Sequence, residues 1–367
     1  MPPLIAEPSP SAVTARASAS PYSDADRLAA AKRAFTTRRA DLSGATLLGN
    51  GHRPQVGSLV LSEVVNIGQH RHLELCDGRR SKLFRGDEII TCYGHRYAPD
   101  QYEVTVPEDM GPCSLTTSGG VTGTVEHRHA NVGRATQLRP IALLGDANGQ
   151  PLTLDRFALP MPSGGVTSPA PVFAVLGTSM NAGKTTTAAH LIHGLKRAGL
   201  RVAAAKITGT GSGADYWHMK DAGAVAVLDF SDCGMPSTYR VEPDALQAVT
   251  AAILAELAKA RPDAIVFEVA DGLYQRETAM IAAAPWFREI VDGVLFAAPD
   301  AMSLFAGVTL LRQHALPVIA LSGVVTMSPL AMREARGAID VPVLTVSELE
   351  NPEIITPLVF AGIGHPR

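Results

Sequence analysis

Hydrophobic and polar residues follow two different patterns along this chain. From about residue 57 to 106, apolar runs of strand length are separated by turn residues such as Asp77 and Gly78. Runs of this length and spacing predict a small antiparallel sheet or barrel. From residue 172 onward, apolar β-branched runs alternate with helical patterns. That alternation predicts an α/β fold, a mostly parallel, doubly wound sheet with helices on both faces.

The same patterns predict individual elements. In the first region we expect strands at 58–61, 72–75, 88–92 and 101–106. In the second we expect strands at 172–176, 201–207, 264–268, 293–297, 317–321 and 341–345, with helices at 184–198 and 244–259. Ser23 stands three residues before Asp26, which is typical of a helix start, and the helical pattern continues to residue 35.

Composition suggests where the chain divides. Residues 1–22 are rich in Pro, Ser and Ala without hydrophobic periodicity, which predicts a disordered tail or, alternatively, a transit peptide. Proline and glycine crowd into 159–171, which is typical of a linker. We therefore predict a tail at 1–22, a helix plus a small β-rich domain at 23–158, a linker at 159–171, and an α/β domain at 172–367.

Overall composition excludes several classes of protein. Hydrophobic residues make up 46% and charged residues 18%, so each half can form a core. The net charge of −3, without a basic stripe, argues against a nucleic-acid partner. The four cysteines are widely spaced, which favours reduced thiols. Without an apolar run of about 18 residues or a signal sequence, we expect a soluble cytoplasmic protein with no membrane partner.

The segment from Gly177 to Thr185 matches G-x-x-x-x-G-K-[ST] between a predicted strand and a predicted helix. This is the P-loop pattern, in which backbone N–H groups surround phosphates, Lys184 reaches the β- and γ-phosphates and Thr185 holds Mg²⁺. We therefore expect ATP and Mg²⁺ as cofactors and a P-loop NTPase domain. The predicted nucleotide-binding residues are Gly177, Thr178, Asn181, Ala182, Gly183, Lys184, Thr185 and Thr186.

Two details of the sequence narrow the choice of nucleotide and class. The chain has no N/T-K-x-D segment for guanine, and the strand where it would occur ends in Ala-Leu-Ser-Gly at 320–323, which favours ATP over GTP. Thr178 occupies the position where dimerising partition-type ATPases carry an extra lysine. That difference argues against a partition motor.

Charged residues end two other predicted strands of this sheet. Lys206 precedes a segment, 207–215, that is too rich in glycine for a helix, and ligands bind at this edge of open α/β sheets. Lys206 is therefore a candidate anion contact or, alternatively, an exposed surface lysine. Glu268 ends another strand and Asp271 follows it, and an acidic residue there typically binds Mg²⁺. A carboxylate facing solvent is the alternative for both.

These stretches resemble dethiobiotin synthetase and its relatives among the P-loop amidoligases and cobyric-acid-type synthases. The resemblance rests on the P-loop, on Lys206 with its Gly/Thr/Ser loop, and on a strand ending Glu268-x-Ala-x-Gly272, and it covers about residues 172–350. Asp271 stands where that family has glycine, and residues 23–158 have no counterpart there. We therefore expect a substrate other than a biotin precursor.

The resemblance implies roles for individual residues. Lys184 and Thr185 would bind phosphate and Mg²⁺, Lys206 and Thr210 the substrate carboxylate or carbamate. The metal ligands would be Thr185, Asp215 and Glu268. Our complete set of predicted site residues adds Lys184, Lys206 and Asp271 as catalytic groups and Thr210, Ser212, Tyr274 and Arg276 as substrate contacts.

These predictions favour an Mg²⁺-ATP-dependent kinase or ligase that acts on a small anionic metabolite such as a carboxylate. Its mechanism would be electrostatic, with lysines and Mg²⁺ neutralising charge on the transferred phosphoryl group. A homodimer is compatible with this interpretation. The alternative is a nucleotide-binding accessory protein, similar to the molybdopterin-guanine-dinucleotide accessory proteins, that acts on a partner enzyme or cofactor.

The N-terminal region carries further candidate residues. His70 with His72, and His127 with His129, would form a metal or anion site if their strands were neighbours; solvated strand faces are the alternative. The segment 93–102 is dense in functional side chains, and would either bind the second substrate or cap a barrel. Candidates for a substrate wall are Trp217, His218, Asp232, Cys233 and Gly234.

Overall fold

The structure is a computed structural model that describes residues 23–49, 51–162, 164–168 and 170–361. The predicted tail at 1–22 lies outside this range. Among the described residues, no helix combines the length and apolar character that a membrane span requires.

The first helix is shorter than predicted. Helix α1 spans Asp24–Ala30, and the side chain of Ser23 caps its start by accepting a hydrogen bond from the N–H of Asp26. The predicted continuation to residue 35 is wrong. Strand β1 (Lys32–Arg33) instead pairs in parallel with residues 89–90, and Phe35 opens a 3-10 turn, Phe35–Thr37, in which its ring is completely buried. Tertiary pairing and burial therefore outweigh the local helical preference.

The N-terminal half is dominated by strands. After β1 they are β2 (Thr46–Leu47), β3 (Leu59–Asn66), β4 (His72–Glu74), β5 (Arg80–Lys82), β6 (Glu88–Tyr93), β7 (Arg96–Tyr97), β8 (Tyr102–Thr105), β9 (Cys113–Leu115), β10 (Val121–Arg128) and β11 (Thr136–Gly145). In the described residues, β6, β3, β11, β9 and β10 pair in succession, and β10 pairs again with β6 to close a ring. The predicted small β domain is therefore a barrel.

Most strand pairs of the barrel are antiparallel, as predicted, but β1 with β6 and β10 with β6 are parallel. Both faces of β3 are buried: Leu59 and Leu61 belong to one hydrophobic cluster, and Val60 and Val64 to another. Successive residues of a strand point to opposite faces, so a strand covered on both sides is apolar almost throughout.

The C-terminal half alternates strands and helices. They are β12 (Val172–Gly177), α2 (Lys184–Arg197), β13 (Val202–Lys206), α3 (Gly213–Asp221), β14 (Ala226–Asp229), α4 (Pro243–Ala258), β15 (Ala264–Glu268), α5 (Arg276–Ala283), α6 (Pro285–Ile290), β16 (Val291–Ala297), α7 (Ala301–Gln313), β17 (Val318–Ser322), α8 (Pro329–Ala338), α9 (Val346–Leu349) and α10 (Pro352–Phe360). The 3-10 turns after Phe35–Thr37 are Leu154–Phe157, Phe230–Cys233 and Val324–Met327.

In the described part of the chain, the strands of this half form one parallel sheet in the order β14-β13-β15-β12-β16-β17. Val172, Ala174 and Leu176 belong to the hydrophobic cluster on one face, whereas Phe173 and Val175 belong to the cluster on the other. The predicted sheet with helices on both faces is confirmed. The central strand β12 carries the P-loop at its carboxyl end.

Two predictions about elements of this half need correction, and one strand was missed. The predicted strand 341–345 is wrong: in this segment an isolated bridge joins Val343 to Leu321, and Thr345 caps α9. Strand β14, at the sheet edge, was not predicted. The segment 207–215 is not free of helix, since α3 begins at Gly213 directly after the glycine-rich loop.

The barrel packs against α3 and the glycine-rich loop that precedes it. The buried carboxylate of Glu74 accepts hydrogen bonds from the Gly213 N–H at 2.7 Å and from the Ser212 hydroxyl at 3.3 Å. Arg38 forms salt bridges with Asp229 at 3.1 Å and Asp232 at 2.6 Å. These contacts hold the barrel over the carboxyl edge of the parallel sheet.

Candidate functional site

The P-loop has the backbone geometry that its sequence predicts. Gly177 ends β12, and a side chain there would put its Cβ 2.8 Å from the Ala297 carbonyl oxygen. Gly183 has φ +99°, in the left-handed region that favours glycine, and α2 begins directly after it. Loop residues Thr178, Asn181 and Ala182 and first-turn residues Lys184, Thr185 and Thr186 therefore lie where a helix N-terminus can bind phosphate.

Lys184 lies against its own loop. Its side chain is 6% exposed, and Nζ donates a hydrogen bond to the Ser179 carbonyl oxygen at 2.6 Å. Burial lowers the pKa of Lys184, and the carboxylate of Glu268 partly offsets that effect. The ammonium group thus lies inside the loop rather than in solvent.

The structure brings the three predicted metal ligands together. The hydroxyl oxygen of Thr185 lies 2.8 Å from Oε1 of Glu268 and 3.1 Å from Oδ1 of Asp215. Glu268 comes from the end of β15 and Asp215 from the first turn of α3. Oε2 of Glu268 is buried and has no hydrogen-bond partner among the described residues. An orphaned carboxylate oxygen beside two more oxygen ligands fits a hard divalent cation.

Lys206 completes this charged cluster. It stands opposite Glu268 in the register of β13 and β15, and its ammonium group forms a salt bridge with Oδ2 of Asp215. Burial acts to lower the pKa of Lys206, but Asp215 and Glu268 outweigh it and the pKa is raised. Burial raises the pKa of Glu268, and the carboxylate of Asp215 adds to this shift. Lys206 is therefore a buried cation and not an exposed surface lysine.

One cavity borders this cluster, and a second borders the P-loop. One, of about 200 Å³, lies between the barrel and the P-loop half and is lined by residues that include Lys206, Asp215 and Asp271. The other, of about 370 Å³, is bordered by the P-loop residues 178–181. Asp271 lines both cavities, and burial raises its pKa. The structure thus places Asp271 between the P-loop and the barrel.

The four predicted substrate contacts lie in three different places. Thr210 and Ser212 line the smaller cavity beside Lys206. Tyr274 is 89% exposed and, of these two cavities, borders the larger one. Arg276 forms a salt bridge with Glu242 at 3.0 Å and is absent from the described linings of both cavities.

The predicted four-histidine site does not form. His72 lies on β4, which pairs with β5, whereas His127 lies on β10 and its Nδ1 is 2.8 Å from Glu103 Oε2. Within the described residues, no three or more His, Cys, Asp or Glu side chains come together as a metal site. The cluster at Thr185 is of a different kind, with two carboxylates and a hydroxyl. His72 and His127 are on separate strands, His70 precedes β4, and His129 lies beyond the end of β10.

The residues of the predicted substrate wall are absent from the described linings of the two cavities. Asp232 forms a salt bridge with Arg38, and Cys233 is buried in the core of the P-loop half. The ring of Trp217 packs against Phe35 at a centroid distance of 6.5 Å, and His218 is exposed. A Cβ on Gly234 would lie 2.5 Å from Asp155 Cα, so this glycine serves close packing.

The segment 93–102 does reach the site. Arg96, Tyr97, Ala98 and Gln101 line the smaller cavity, and the Asp100 carboxylate accepts a hydrogen bond from the Asn181 side chain of the P-loop. Its density of functional side chains was the only sequence signal for this role. His70 also lines the cavity, a position that its H-x-H pattern did not indicate.

Comparison with known proteins gives partial matches. No family profile matches the chain. A stretch of 106 residues is 38% identical to the ATP-dependent dethiobiotin synthetase BioD of Pseudomonas paraeruginosa (strain DSM 24068 / PA7), covering 27% of this chain and 46% of that protein. The protein of the same name from Pseudomonas aeruginosa (strain UCBPP-PA14) matches with the same identity and coverage. The chain thus spans less than half the length of these relatives.

Solved structures match more widely but with low scores. The signal recognition particle 54 kDa protein of Aeropyrum pernix K1, in complex with GDP, aligns with 53% of this chain and 47% of its own, at 17% identity and a TM-score of 0.36. The signal recognition particle receptor FtsY of Elizabethkingia anophelis covers 56% of this chain and 70% of its own, at 17% identity and a TM-score of 0.34. The P-loop between β12 and α2, set in the parallel sheet, gives the C-terminal half the fold of a P-loop NTPase.

Proposed function

We propose that this protein is an Mg²⁺-ATP-dependent kinase or ligase that transfers a phosphoryl group to, or activates, a small anionic metabolite such as a carboxylate. The observation that carries this proposal is the cluster at Thr185. Its hydroxyl oxygen is within hydrogen-bonding distance of both Glu268 and Asp215, and Lys206 pairs with Asp215 in the same cluster.

The P-loop would bind the triphosphate. Backbone N–H groups of residues 178–186 would contact the phosphates, and the buried Lys184 would exchange the Ser179 carbonyl oxygen for phosphate oxygens. Gly177 and Gly183 permit this backbone path. ATP is favoured because the chain lacks a guanine-recognition segment and because the relatives it matches in part are described as ATP-dependent.

Thr185, Asp215 and Glu268 would hold Mg²⁺, since all three offer oxygen ligands and Glu268 has a buried oxygen without a partner. A cation held by these residues would supply charge neutralisation for the triphosphate. Burial raises the pKa of Glu268, so its ionised form is disfavoured in the absence of a cation. A bound cation would stabilise that ionised form.

Lys206 and Asp271 would act on the acceptor. As an acceptor oxygen bonds to the γ-phosphorus and the bond to the ADP oxygen breaks, Lys206 stabilises the negative charge on the transferred group. Where the acceptor is a hydroxyl, Asp271 takes its proton. Lysines on both sides of the γ-phosphate favour an anionic acceptor, which a simple nucleotide switch would not need.

The test is ADP formation by the full chain, measured with and without small carboxylates. A Lys206→Ala variant should bind Mg²⁺-nucleotide as the wild type does but lose acceptor-stimulated turnover. Lys220→Ala is the matched control, because Lys220 lies exposed on the same helix, α3, that carries Asp215. Unchanged stimulated turnover in Lys206→Ala, or no nucleotide binding by the wild type, would refute the proposal.

A further inference from the structure

Both halves of the chain build the smaller cavity. The barrel contributes His70, Arg96 and Gln101, and the P-loop half contributes Lys206, Ser212 and Asp271. The resemblance to P-loop enzymes cannot explain the barrel residues, since it begins only at about residue 172. The cavity adjoins the groups that would act on the γ-phosphate, so whatever occupies it lies beside the reacting atoms.

Arg96, in this wall, has no anionic hydrogen-bond partner among the described residues. Its side chain is 6% exposed, Nη1 donates to the Thr116 carbonyl oxygen, and Nη2 donates to Gln101 Oε1 at 2.9 Å. Both partners are neutral oxygens. Nε is buried and has no partner in the part of the chain that the structure describes. Burial lowers the pKa of Arg96 to about 10, which still leaves it charged at neutral pH.

A buried guanidinium without a paired anion is unfavourable unless something else meets it. Asp271 and Asp100 act on it through space, but neither accepts its hydrogen bonds. An anion entering the cavity would supply the charged partner that this guanidinium lacks, since only two of its five N–H donors are hydrogen-bonded among the described residues. Guanidinium groups suit carboxylates, because the planar donors match two carboxylate oxygens.

Resting on the proposed function, we infer that this cavity is the acceptor site and that Arg96 binds a carboxylate of the acceptor remote from its reacting group. The acceptor is then a short dicarboxylate, with one end near Lys206 and Asp271 and the other at Arg96. The volume of about 200 Å³ corresponds to about seven water molecules at ~30 Å³ each, so the acid has only a few carbon atoms.

His70 supports this assignment as a neutral group. Burial, with a contribution from the charge of Arg96, lowers its pKa to about 4, and Nδ1 has no hydrogen-bond partner among the described residues. His70 therefore lines the cavity without adding positive charge to it. The barrel thus acts as the part of the enzyme that selects the acceptor.

The experiment uses the full chain saturated with Mg²⁺ and a non-hydrolysable ATP analogue. Straight-chain dicarboxylates from malonate to adipate are titrated by thermal shift and calorimetry, with propionate and butyrate as monocarboxylate controls. At least one dicarboxylate should stabilise the wild type more than either monocarboxylate. In Arg96→Met its Kd should rise about tenfold or more, and Arg96→Lys should recover part of that loss.

Two further variants make the result decisive. Arg139→Met removes an exposed barrel arginine that pairs with Glu63 and should leave dicarboxylate binding unchanged. Ala98→Leu keeps Arg96 and fills the cavity that Ala98 lines, so it should abolish binding even if Arg96→Met does not fold.

The outcomes separate the two proposals. If the wild type does not bind the nucleotide analogue, the proposed function fails. If the nucleotide binds but no dicarboxylate does, or if Arg96→Met and Ala98→Leu bind dicarboxylate like the wild type, the inference about the cavity is overturned and the proposed function stands.

Discussion

The hydroxyl oxygen of Thr185 lies 2.8 Å from Oε1 of Glu268, although 83 positions separate the two residues in the chain. The contact joins the first turn of α2 to the end of β15, two elements that meet only because β12 and β15 are neighbours in the sheet. Beside it, Asp215 places a second carboxylate within 3.1 Å of the same hydroxyl.

Replacing Glu268 with Gln should affect stability and function in opposite directions. Burial and Asp215 raise the pKa of Glu268, so its ionised form is disfavoured in the folded protein. The neutral amide should leave the metal-free protein as stable as the wild type or more stable, by about 1 kcal/mol. It should also weaken Mg²⁺-dependent nucleotide binding.

Thermal unfolding and calorimetry with and without Mg²⁺ test this prediction for Glu268→Gln. Thr185→Ser, which keeps the hydroxyl, is the control and should retain Mg²⁺ dependence. A large loss of stability in Glu268→Gln without any change in nucleotide binding would contradict the assignment of Glu268 to the metal site.

Arg38 should be one of the most sensitive structural positions. Its guanidinium forms salt bridges with Asp229 and Asp232, which are both nearly fully buried. Arg38→Met leaves these two carboxylates close together with only the Arg39 guanidinium nearby, 3.9 Å from Asp232, and should cost about 3 to 5 kcal/mol in the free energy of unfolding.

Chemical denaturation measures this cost. Arg312→Met is the matched control, because Arg312 pairs with Asp340 at the surface, where the two side chains are 52% and 75% exposed. Such a pair contributes about 0 to 1 kcal/mol. Equal effects of the two substitutions would show that the contact between barrel and P-loop half is not what Arg38 stabilises.

Gly119 should be required for the contact between the two halves. A Cβ at this position would lie 2.5 Å from the Gly211 carbonyl oxygen and 2.6 Å from Ser212 Cα, both backbone atoms of the glycine-rich loop. Gly119→Ala should therefore destabilise the protein by about 1 to 3 kcal/mol. Because Ser212 lines the cavity, dicarboxylate binding should weaken as well.

Gly337→Ala serves as the control for this substitution. Gly337 lies within α8, and a Cβ there would meet nothing within 4 Å. Alanine in an exposed helix is more favourable than glycine, so stability should stay the same or rise by about 1 kcal/mol. Denaturant midpoints for the two variants would then move in opposite directions; a neutral Gly119→Ala would argue against the tight approach.

The stability of the protein should fall in mild acid because of His70. Its folded-state pKa is lowered from 6.5 to about 4, so between these values the unfolded chain binds a proton that the folded protein does not. The contribution of neutral His70 to the free energy of unfolding is fully present above pH 6.5 and is lost as the pH falls toward 4. By linkage it amounts to about 3 kcal/mol at most.

Unfolding free energies at pH 7, 6 and 5 for the wild type and His70→Gln test this sign. The variant should lose less stability than the wild type over that range, because glutamine does not titrate. Parallel pH profiles for the two proteins would show that His70 is accessible to protons in the folded state.

The sequence by itself determined the P-loop and most of the parallel sheet. The motif from Gly177 to Thr185 is contiguous, so its backbone geometry is encoded locally. Buried parallel strands are apolar throughout, and this is why the strand at 264–268 is found at the predicted positions. The strand ends that carry Lys206 and Glu268 were therefore also predictable, since parallel strands bring their carboxyl ends to one edge of the sheet.

Tertiary structure decided the rest. Phe35 departs from its helical pattern and is fully buried, with its ring against Trp217. Residues 341–345 form one bridge to β17, and Thr345 then caps the next helix. The closure of the barrel, and the arrival of Arg96 beside Lys206, depend on contacts between residues far apart in the chain. Local sequence patterns do not predict such contacts. They indicate which face of each element is apolar, but not which other element packs against that face.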